Sequence, residues 1–437
     1  MKYIKRILPL ALLIICLCIS SFTCNEGSAS LDAQGVSLGY IEDATISIEN
    51  LIGTYDICFG DANGNLLSDY TKITTIKTDK KGNAEATISN LVIPPSAKTL
   101  VLLDDGGNQA FLEKSIKLPE ECTNFGEEEL LFGAISDVHF NRYRSKPPKD
   151  DAVPAFTQVL EYFDKVGVDL VGVSGDLSSD GEEVAFIRFN LMVKDKEYEV
   201  FSCTGNHDIP AIESGAFKEH ILGGIETQNG VLDIAENGLD FTYSESEGEV
   251  FIFLSQMYRT YNTPDSCLLD GEQLIWLRGV CEKYKNDRVF LFFHTFLCGT
   301  DGQKHTGVGN IKNPGGYTYD LPYTYGTQDE IEFRQILKDY KNVIFFSGHS
   351  HWQFEMEKYN EIANFSNLNG EYGYMVHIPS VASPRYIGEN DTNRTEMNTK
   401  SSQGWLVYVY DECIIFLPIE FTTGVIYTEY MEIISYR

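Results

Sequence analysis

The chain of 437 residues carries a formal net charge of -30, with 43% hydrophobic and 22% charged residues. By length this excludes one ordinary domain, and by composition it describes a folded globular protein. It also excludes a nucleic-acid partner held on a basic surface, because such binding sets Lys and Arg against phosphates.

An anionic substrate would therefore need a local cationic centre. Lys2, Lys5 and Arg6 precede an apolar run from Ile7 to Ile19, and Ser20 and Ser21 follow. That order makes a secretory signal, expected over residues 1–23. The run of about 13 residues is short of the roughly 20 that span a bilayer, and no later stretch is long enough. The protein is expected to be secreted or held at the cell surface. A lipid anchor at Cys24 is the second reading, because Ser21-Phe22-Thr23 is a poor match to the small residues that precede such a cysteine, and an N-terminal anchor is the only route to a membrane. Of ten cysteines, those after the signal show no CxxC and no regular framework. Cys203 reads as a buried thiol; Cys267 with Cys281 is the one pair that export would permit.

Residues 30–120 alternate like strands, as in Ala44–Ile48, Ala84–Ile88 and Thr99–Leu103, with turn signals at Asp61–Gly64, Lys81–Asn83 and Pro94-Pro95. This spacing predicts a small all-β sandwich of the Ig/fibronectin kind. It holds no histidine or metal-ligand cluster, so it reads as a spacer or packing module, with carbohydrate or surface binding as the second reading. The acidic stretch 121–129 reads as a linker.

From residue 130 to 437 the pattern becomes α/β. Buried strand-like runs at Leu131–Ile135, Val168–Val173, Val200–Cys203, Val289–Phe293 and Val343–Phe346 alternate with helical spacing at 153–166, 182–192 and 270–284. Each run ends in metal-binding groups. These are Asp137 and His139, then Gly175-Asp176, Asn206-His207-Asp208, His294, and Gly348-His349-Ser350-His351. Five of the eight histidines fall here, and His220, His305 and His377 read as ordinary. Ligands collect beyond the carboxyl ends of strands in open α/β sheets. Carboxylate, imidazole and amide without a thiolate cluster suit Mn, Zn or Fe rather than a structural zinc. There are enough groups for two ions, with Asp176 able to give an oxygen to each. The glycines at 175, 205 and 348 are expected to keep backbone out of the substrate's way.

The ordered set DxH, GD, GNHD, H and GHxH resembles the calcineurin-like metallophosphoesterase family over residues 130–437. The resemblance implies a four-layer αββα sandwich with the site at one edge. It implies one ion on Asp137, His139 and His351, a second on Asn206, His294 and His349, and Asp176 shared between them. His207 would stand outside the coordination sphere, near the leaving group. Two departures bear on subclass. Purple acid phosphatases have a tyrosine where this chain has Ser179, so a ferric–tyrosinate centre is not expected. The family's protein phosphatases carry aspartate and then arginine from that point; here Asp180 and Gly181 come one residue later, which leaves the acid partner of His207 open. The expected reaction is in-line attack of a metal-bound hydroxide on a small phosphomonoester or phosphodiester, with His207 as proton donor and Asp208 as its orienting group. A nuclease of the same fold and a non-catalytic cell-surface binding protein are the alternatives. Arg142, Tyr143, Arg144, Tyr258, Arg259 and the stretch 299–326 are candidates for substrate selection. Asn364, Asn390 and Asn393 begin glycosylation sequons.

Overall fold

The side-chain alternation just described decides the architecture. In a computed structural model, residues 27–435 are described except 68–71, 108–114, 141–151, 224–228, 245–247, 259–267, 298–326, 360–362, 368–369, 388–394 and 399. The signal, Cys24, Cys267, Arg142, Tyr143, Arg144, Arg259, the stretch 299–326 and the sequons at Asn390 and Asn393 lie outside the described residues. The chain divides into two compact units, Met1–Asn124 and Phe125–Arg437.

The first unit holds β1 (Ser28–Ser37), β2 (Tyr40–Glu49), β3 (Thr54–Gly60), β4 (Thr74–Lys77), β5 (Ala84–Val92), β6 (Thr99–Leu103), β7 (Ile116–Lys117) and α1 (Glu120–Thr123). The strands form two antiparallel sheets, ordered β1-β2-β5 and β4-β3-β6-β7. Ile46 and Ile48 of β2, Ile57 and Phe59 of β3, and Leu100 and Leu102 of β6 point into one core, as a period of two requires. Three turns share the pattern D-x-x-G-N, at Asp61, Asp79 and Asp104. In the first two, the aspartate Oδ1 accepts main-chain N–H groups two and four residues on, at 2.8–2.9 Å. Gly64 and Gly82 supply the left-handed residue, at φ 79° and 83°. The stretch 121–129 is more structured than a linker. Cys122 of α1 joins the first unit's core, and Glu128 opens a strand of the second.

The second unit carries, in chain order, β8 (Glu128–Ile135), α2 (Ala152–Val166), β9 (Leu170–Val173), α3 (Glu183–Val193), β10 (Glu199–Ser202), α4 (Ile209–Ser214), α5 (Ala216–His220), β11 (Val231–Ile234), β12 (Phe241–Tyr243), β13 (Glu249–Phe253), α6 (Gly271–Lys283), β14 (Arg288–Phe292), α7 (Gln328–Asp339) and β15 (Val343–Ser347). Strands β16 (Phe365–Ser366), β17 (Tyr374–His377), β18 (Arg385–Ile387), β19 (Thr395–Met397), β20 (Gln403–Tyr410), β21 (Cys413–Glu420), β22 (Val425–Ile426) and β23 (Glu432–Ser435) follow. One seven-stranded sheet runs β10-β9-β8-β20-β21-β22, with β23 also on β21; the other runs β11-β12-β13-β14-β15-β17-β16. β8, β9 and β10 are parallel, as are β13, β14, β15 and β17.

Alternation sorts the strands into layers. Phe132 of β8 packs on Phe251, Phe290 and Phe346 of the opposite sheet, with ring centroids 4.9–5.9 Å apart. Between these, Val250 and Ile252, Val289 and Leu291, and Val343 and Phe345 face outward onto α6 and α7. On the far side of the first sheet, α2 buries Phe156, Val159, Leu160 and Phe163, a helical stripe. Phe163 fills the space a Cβ at Gly133 would need. Helix, sheet, sheet and helix thus stack in four layers. Among the described residues no helix is long and apolar enough to cross a membrane. Asn364 is buried and donates to Phe354 O, so the folded chain presents no glycan acceptor there. Cys203 and Cys281 are buried free thiols.

One buried carboxylate ties the edge of the second sheet together. Asp240 accepts from Ser255 N at 2.7 Å, Asn237 Nδ2 at 2.7 Å and Gln273 Nε2 at 2.8 Å. Gln273 also completes a capping box with Asp270 at the start of α6. Burial pushes the Asp240 carboxyl up to about 6, against those hydrogen bonds, from an ordinary 3.8. A raised folded value means the fold favours the protonated form. The resulting stabilisation is full below about pH 4 and is lost as pH rises through about 6, a span worth roughly 3 kcal/mol. Urea midpoints of the wild type and Asp240→Asn, measured from pH 4 to 7, should show the wild type losing stability relative to the variant across that window. A pH-independent difference would rule this out.

Candidate metal centre

Every group predicted at a strand end lies at the carboxyl edge where the two sheets meet. β8 delivers Asp137 and His139, β9 delivers Asp176, and β10 delivers Asn206, His207 and Asp208. β14 delivers His294, and β15 delivers His349 and His351. The loops are joined directly. Asp137 N donates to Gly175 O at 3.2 Å, His139 N to Asp176 O at 2.9 Å, and Gly348 N to His294 O at 3.0 Å. Gly205 and Gly348 let these loops close on one another. A Cβ at 205 would come within 2.2 Å of Asp176 Oδ1, and one at 348 within 2.5 Å of Asp137 Oδ2.

Five of these residues hold backbone conformations that side chains disfavour. Asp137, His139, Asp176, His349 and His351 have φ of 56°, 52°, 52°, 69° and 61°. Among the described residues only Asn50 and Asn90, both in the first unit, share that region without being glycine. Such a conformation costs roughly 1 kcal/mol or more per residue and persists only where surroundings enforce it.

The two carboxylates are built alike. Asp137 Oδ2 accepts from His349 N at 3.0 Å, and Asp176 Oδ1 accepts from His207 N at 2.9 Å. The other oxygen of each faces imidazoles. Asp137 Oδ1 lies 3.0 Å from His351 Nε2 and 3.5 Å from His139 Nε2, with neither aligned as a hydrogen bond. Asp176 Oδ2 lies 3.6 Å from His139 Nε2 and 3.2 Å from His294 Nε2. A single oxygen of Asp176 therefore faces both sets, instead of one oxygen for each as the sequence suggested. The ligand atoms fall into two groups: Asp137, His139, Asp176 and His351, and Asp176, His294 and His349. Asn206 Oδ1 joins the second, 3.2 Å from His294 Nε2.

The imidazoles are oriented from behind. His294 Nδ1 donates to Ser174 O at 2.6 Å, and His351 Nδ1 to Ser383 O at 3.3 Å. In the neutral ring this leaves the Nε2 lone pair facing inward. Those lone pairs crowd one another: His139 Nε2 is 3.1 Å from His351 Nε2, and His294 Nε2 is 3.2 Å from His349 Nδ1. Buried lone pairs and an orphaned carboxylate oxygen at such distances need a cation between them. The donor set of carboxylate, imidazole and amide fits Mn, Zn or Fe.

Without an ion, protons take that part. Burial opposes a charged His294, but Asp176, Asp137 and the Ser174 carbonyl outweigh it and push the imidazole up to about 10. Burial wins at His139, which falls to about 4 despite Asp137 and Asp176. Burial would raise Asp137 and Asp176, yet His351 beside the first and His294 beside the second hold both carboxyls well below the usual range.

Two residues differ from expectation. Asp208 is fully buried, does not reach the cluster, and occupies the N-cap position of α4 without a side-chain cap hydrogen bond. Its oxygens accept from Leu177 N at 3.1 Å, Gly205 N at 3.1 Å, Ser178 N at 2.9 Å and Ser178 Oγ at 2.8 Å. It is a positioning residue that laces the β9 and β10 loops together and not, as read from sequence, the group that orients the His207 imidazole. Burial, with Asp176 nearby, pushes its carboxyl up to about 6. The open question of what holds His207 also closes, since its Nδ1 donates to the Ser179 carbonyl. Asp180 is exposed. His377, read as ordinary, is buried behind the Gly348–His351 turn and donates from Nε2 to Trp352 O at 3.0 Å. Nothing in its sequence neighbourhood marks it. Tyr258 is exposed.

Residues 130–353 match the family model described as calcineurin-like phosphoesterase. No curated protein matches the chain. Similar solved structures include a dimetal phosphatase from Danio rerio, at 13% identity over 71% of this chain and 100% of that one, with a TM-score of 0.45. GAP50, the anchor in the inner membrane complex of Plasmodium, is similar at 12% identity over 71% of this chain and 90% of its own, again with a TM-score of 0.45.

Asp208→Asn keeps the shape but turns an N–H₂ toward donors. The variant should lose roughly 1–3 kcal/mol of stability and bind metal about 10–100-fold more weakly. Denaturant midpoints and calorimetric metal titration check both; wild-type values in each would deny the lacing role.

Proposed function

The chain belongs to the calcineurin-like phosphoesterase family, and from that premise we propose that it is an exported, dinuclear-metal-dependent hydrolase of small phosphomonoesters or phosphodiesters. The observation that carries this reading is the convergence of seven ligand-type side chains in two groups that share Asp176, whose Oδ2 faces one imidazole of each group. Asp137, His139 and His351 would hold one ion and Asn206, His294 and His349 the other, with Asp176 common to both. Bound there, two Mn, Zn or Fe ions would neutralise charge on the phosphoryl oxygens and bring a water molecule's pKa near neutrality.

The chain's own residues set the direction of approach. Of the nine predicted site residues only Asn206 and His207 are partly exposed; the other seven are buried. An ester would thus meet the cluster on the His207 side. With Nδ1–H tied to the Ser179 carbonyl, the doubly protonated imidazole would hand its Nε2 proton to the departing oxygen and be left as the neutral Nδ1–H ring. Asn206 brings a neutral amide, so the second set is less anionic than the first. The net charge of -30 favours small esters over DNA or RNA.

Purified full-length protein would be assayed on p-nitrophenyl phosphate, its bis ester, cyclic nucleotides and DNA, with Mn, Zn and Fe in turn. Metal-dependent turnover of a small ester is expected, and Asp176→Asn should lower it by at least about 10²-fold. Preference for DNA would turn the reading to a nuclease, and absence of both metal and turnover to a binding protein. Export is tested by fusing residues 1–30 to a reporter active only outside the cytoplasm. Loss of signal on removing residues 7–19 is expected, and a silent full fusion would remove export from the proposal.

A further inference from the structure

The described part of the segment after β13, residues 254–258, runs beside the β10 and β14 loops and gives no ligand-type side chain to the cluster. At its centre Gln256 is fully buried, and a buried amide needs partners. Its main chain is tied to one flanking ligand segment and its side-chain amide to the other. Gln256 N donates to Thr204 O at 3.2 Å, and Thr204 Oγ1 donates back to Gln256 O at 2.8 Å. On the other side Thr295 Oγ1 donates to Gln256 Oε1 at 2.6 Å. The remaining end, Nε2, donates to Tyr258 O at 2.9 Å.

Thr204 stands two residues before Asn206, and Thr295 follows His294 directly. Gln256 therefore bridges the two segments whose side chains meet at 3.2 Å, Asn206 Oδ1 to His294 Nε2. Among the described residues none of its hydrogen bonds goes to the β8 loop or the β15 turn, which carry Asp137, His139 and His351. The support is one-sided.

We propose that Gln256, anchored to Thr204 by its main chain and acting on Thr295 through its side chain, is a positioning residue for the Asp176–Asn206–His294–His349 group and not for the Asp137–His139–His351 group. This rests on the two-ion reading above. A residue that merely filled the core would weaken both groups alike or neither.

Metal-stripped full-length protein would be titrated with Mn²⁺ by calorimetry, and bound metal counted after gel filtration. The wild type should take up two ions. Gln256→Leu keeps the volume and removes the amide, while Thr295→Val removes only the hydroxyl. Each variant should bind one ion as the wild type does and the other about 10–100-fold more weakly. Because both break the same bond, the double variant should be little weaker than the worse single one. Wild-type affinity for both ions in Thr295→Val, or equal weakening of both, overturns this inference alone, and Thr295→Val decides the matter if Gln256→Leu does not fold. A wild-type chain that takes up fewer than two ions overturns the two-ion reading and this inference with it.

Discussion

Two carboxylates held out of water govern the second unit. Asp137 and Asp176 are 0% and 1% exposed, and isolated buried charges of one sign are not tolerated in a protein interior. Each is satisfied in the same divided way, with one oxygen fixed by a main-chain N–H from another ligand loop and one left among imidazoles. The loops must therefore sit where they do for the carboxylates, and the imidazoles must follow. Gly205 and Gly348, Asp208 and the carbonyls of Ser174, Ser179 and Ser383 all serve that arrangement.

The backbone shows how firmly it is imposed. Five ligand residues sit in the left-handed region, at roughly 1 kcal/mol or more each, against a typical folding stability of about 5–15 kcal/mol. Conformations that unfavourable survive because the strands beneath them are buried on both faces and the loops are hydrogen-bonded to one another. The adjoining phenylalanine layer gives the strand ends little room to relax.

The layers and the ligand set were legible in the sequence for a definite reason. Continuous apolar runs reveal strands buried on both faces. A polar, metal-competent residue straight after one such run is unremarked chance, but five in succession mark a shared site. The helices at 152–166, 183–193 and 271–283 could likewise be read from spacing. Legibility ended where function passes through the main chain. Ser179 holds His207, and Ser174 holds His294, through carbonyls that any residue would possess. Asp208 reads as the orienting group of His207 because it follows it directly in the chain; only the positions of Leu177, Ser178 and Gly205 show its oxygens committed elsewhere. His377 and Gln256 carry no local pattern, since what makes them matter lies across the sheet.

Each ligand group takes members from both sheets. Asp137, His139, Asp176 and Asn206 hang from the β8–β9–β10 sheet, and His294, His349 and His351 from the β14–β15 sheet. Among the described residues no hydrogen-bonded ladder joins one sheet to the other; Phe132, Phe290 and Phe346 meet across the gap through ring packing. Ring packing resists separation well but lateral slip poorly, because it has no direction of its own. Hydrogen bonds near the carboxyl edge, such as Ser174 Oγ to Phe293 O at 3.0 Å and His294 Nδ1 to Ser174 O at 2.6 Å, supply direction there, and the cluster they frame works as a latch at one end of a greased joint.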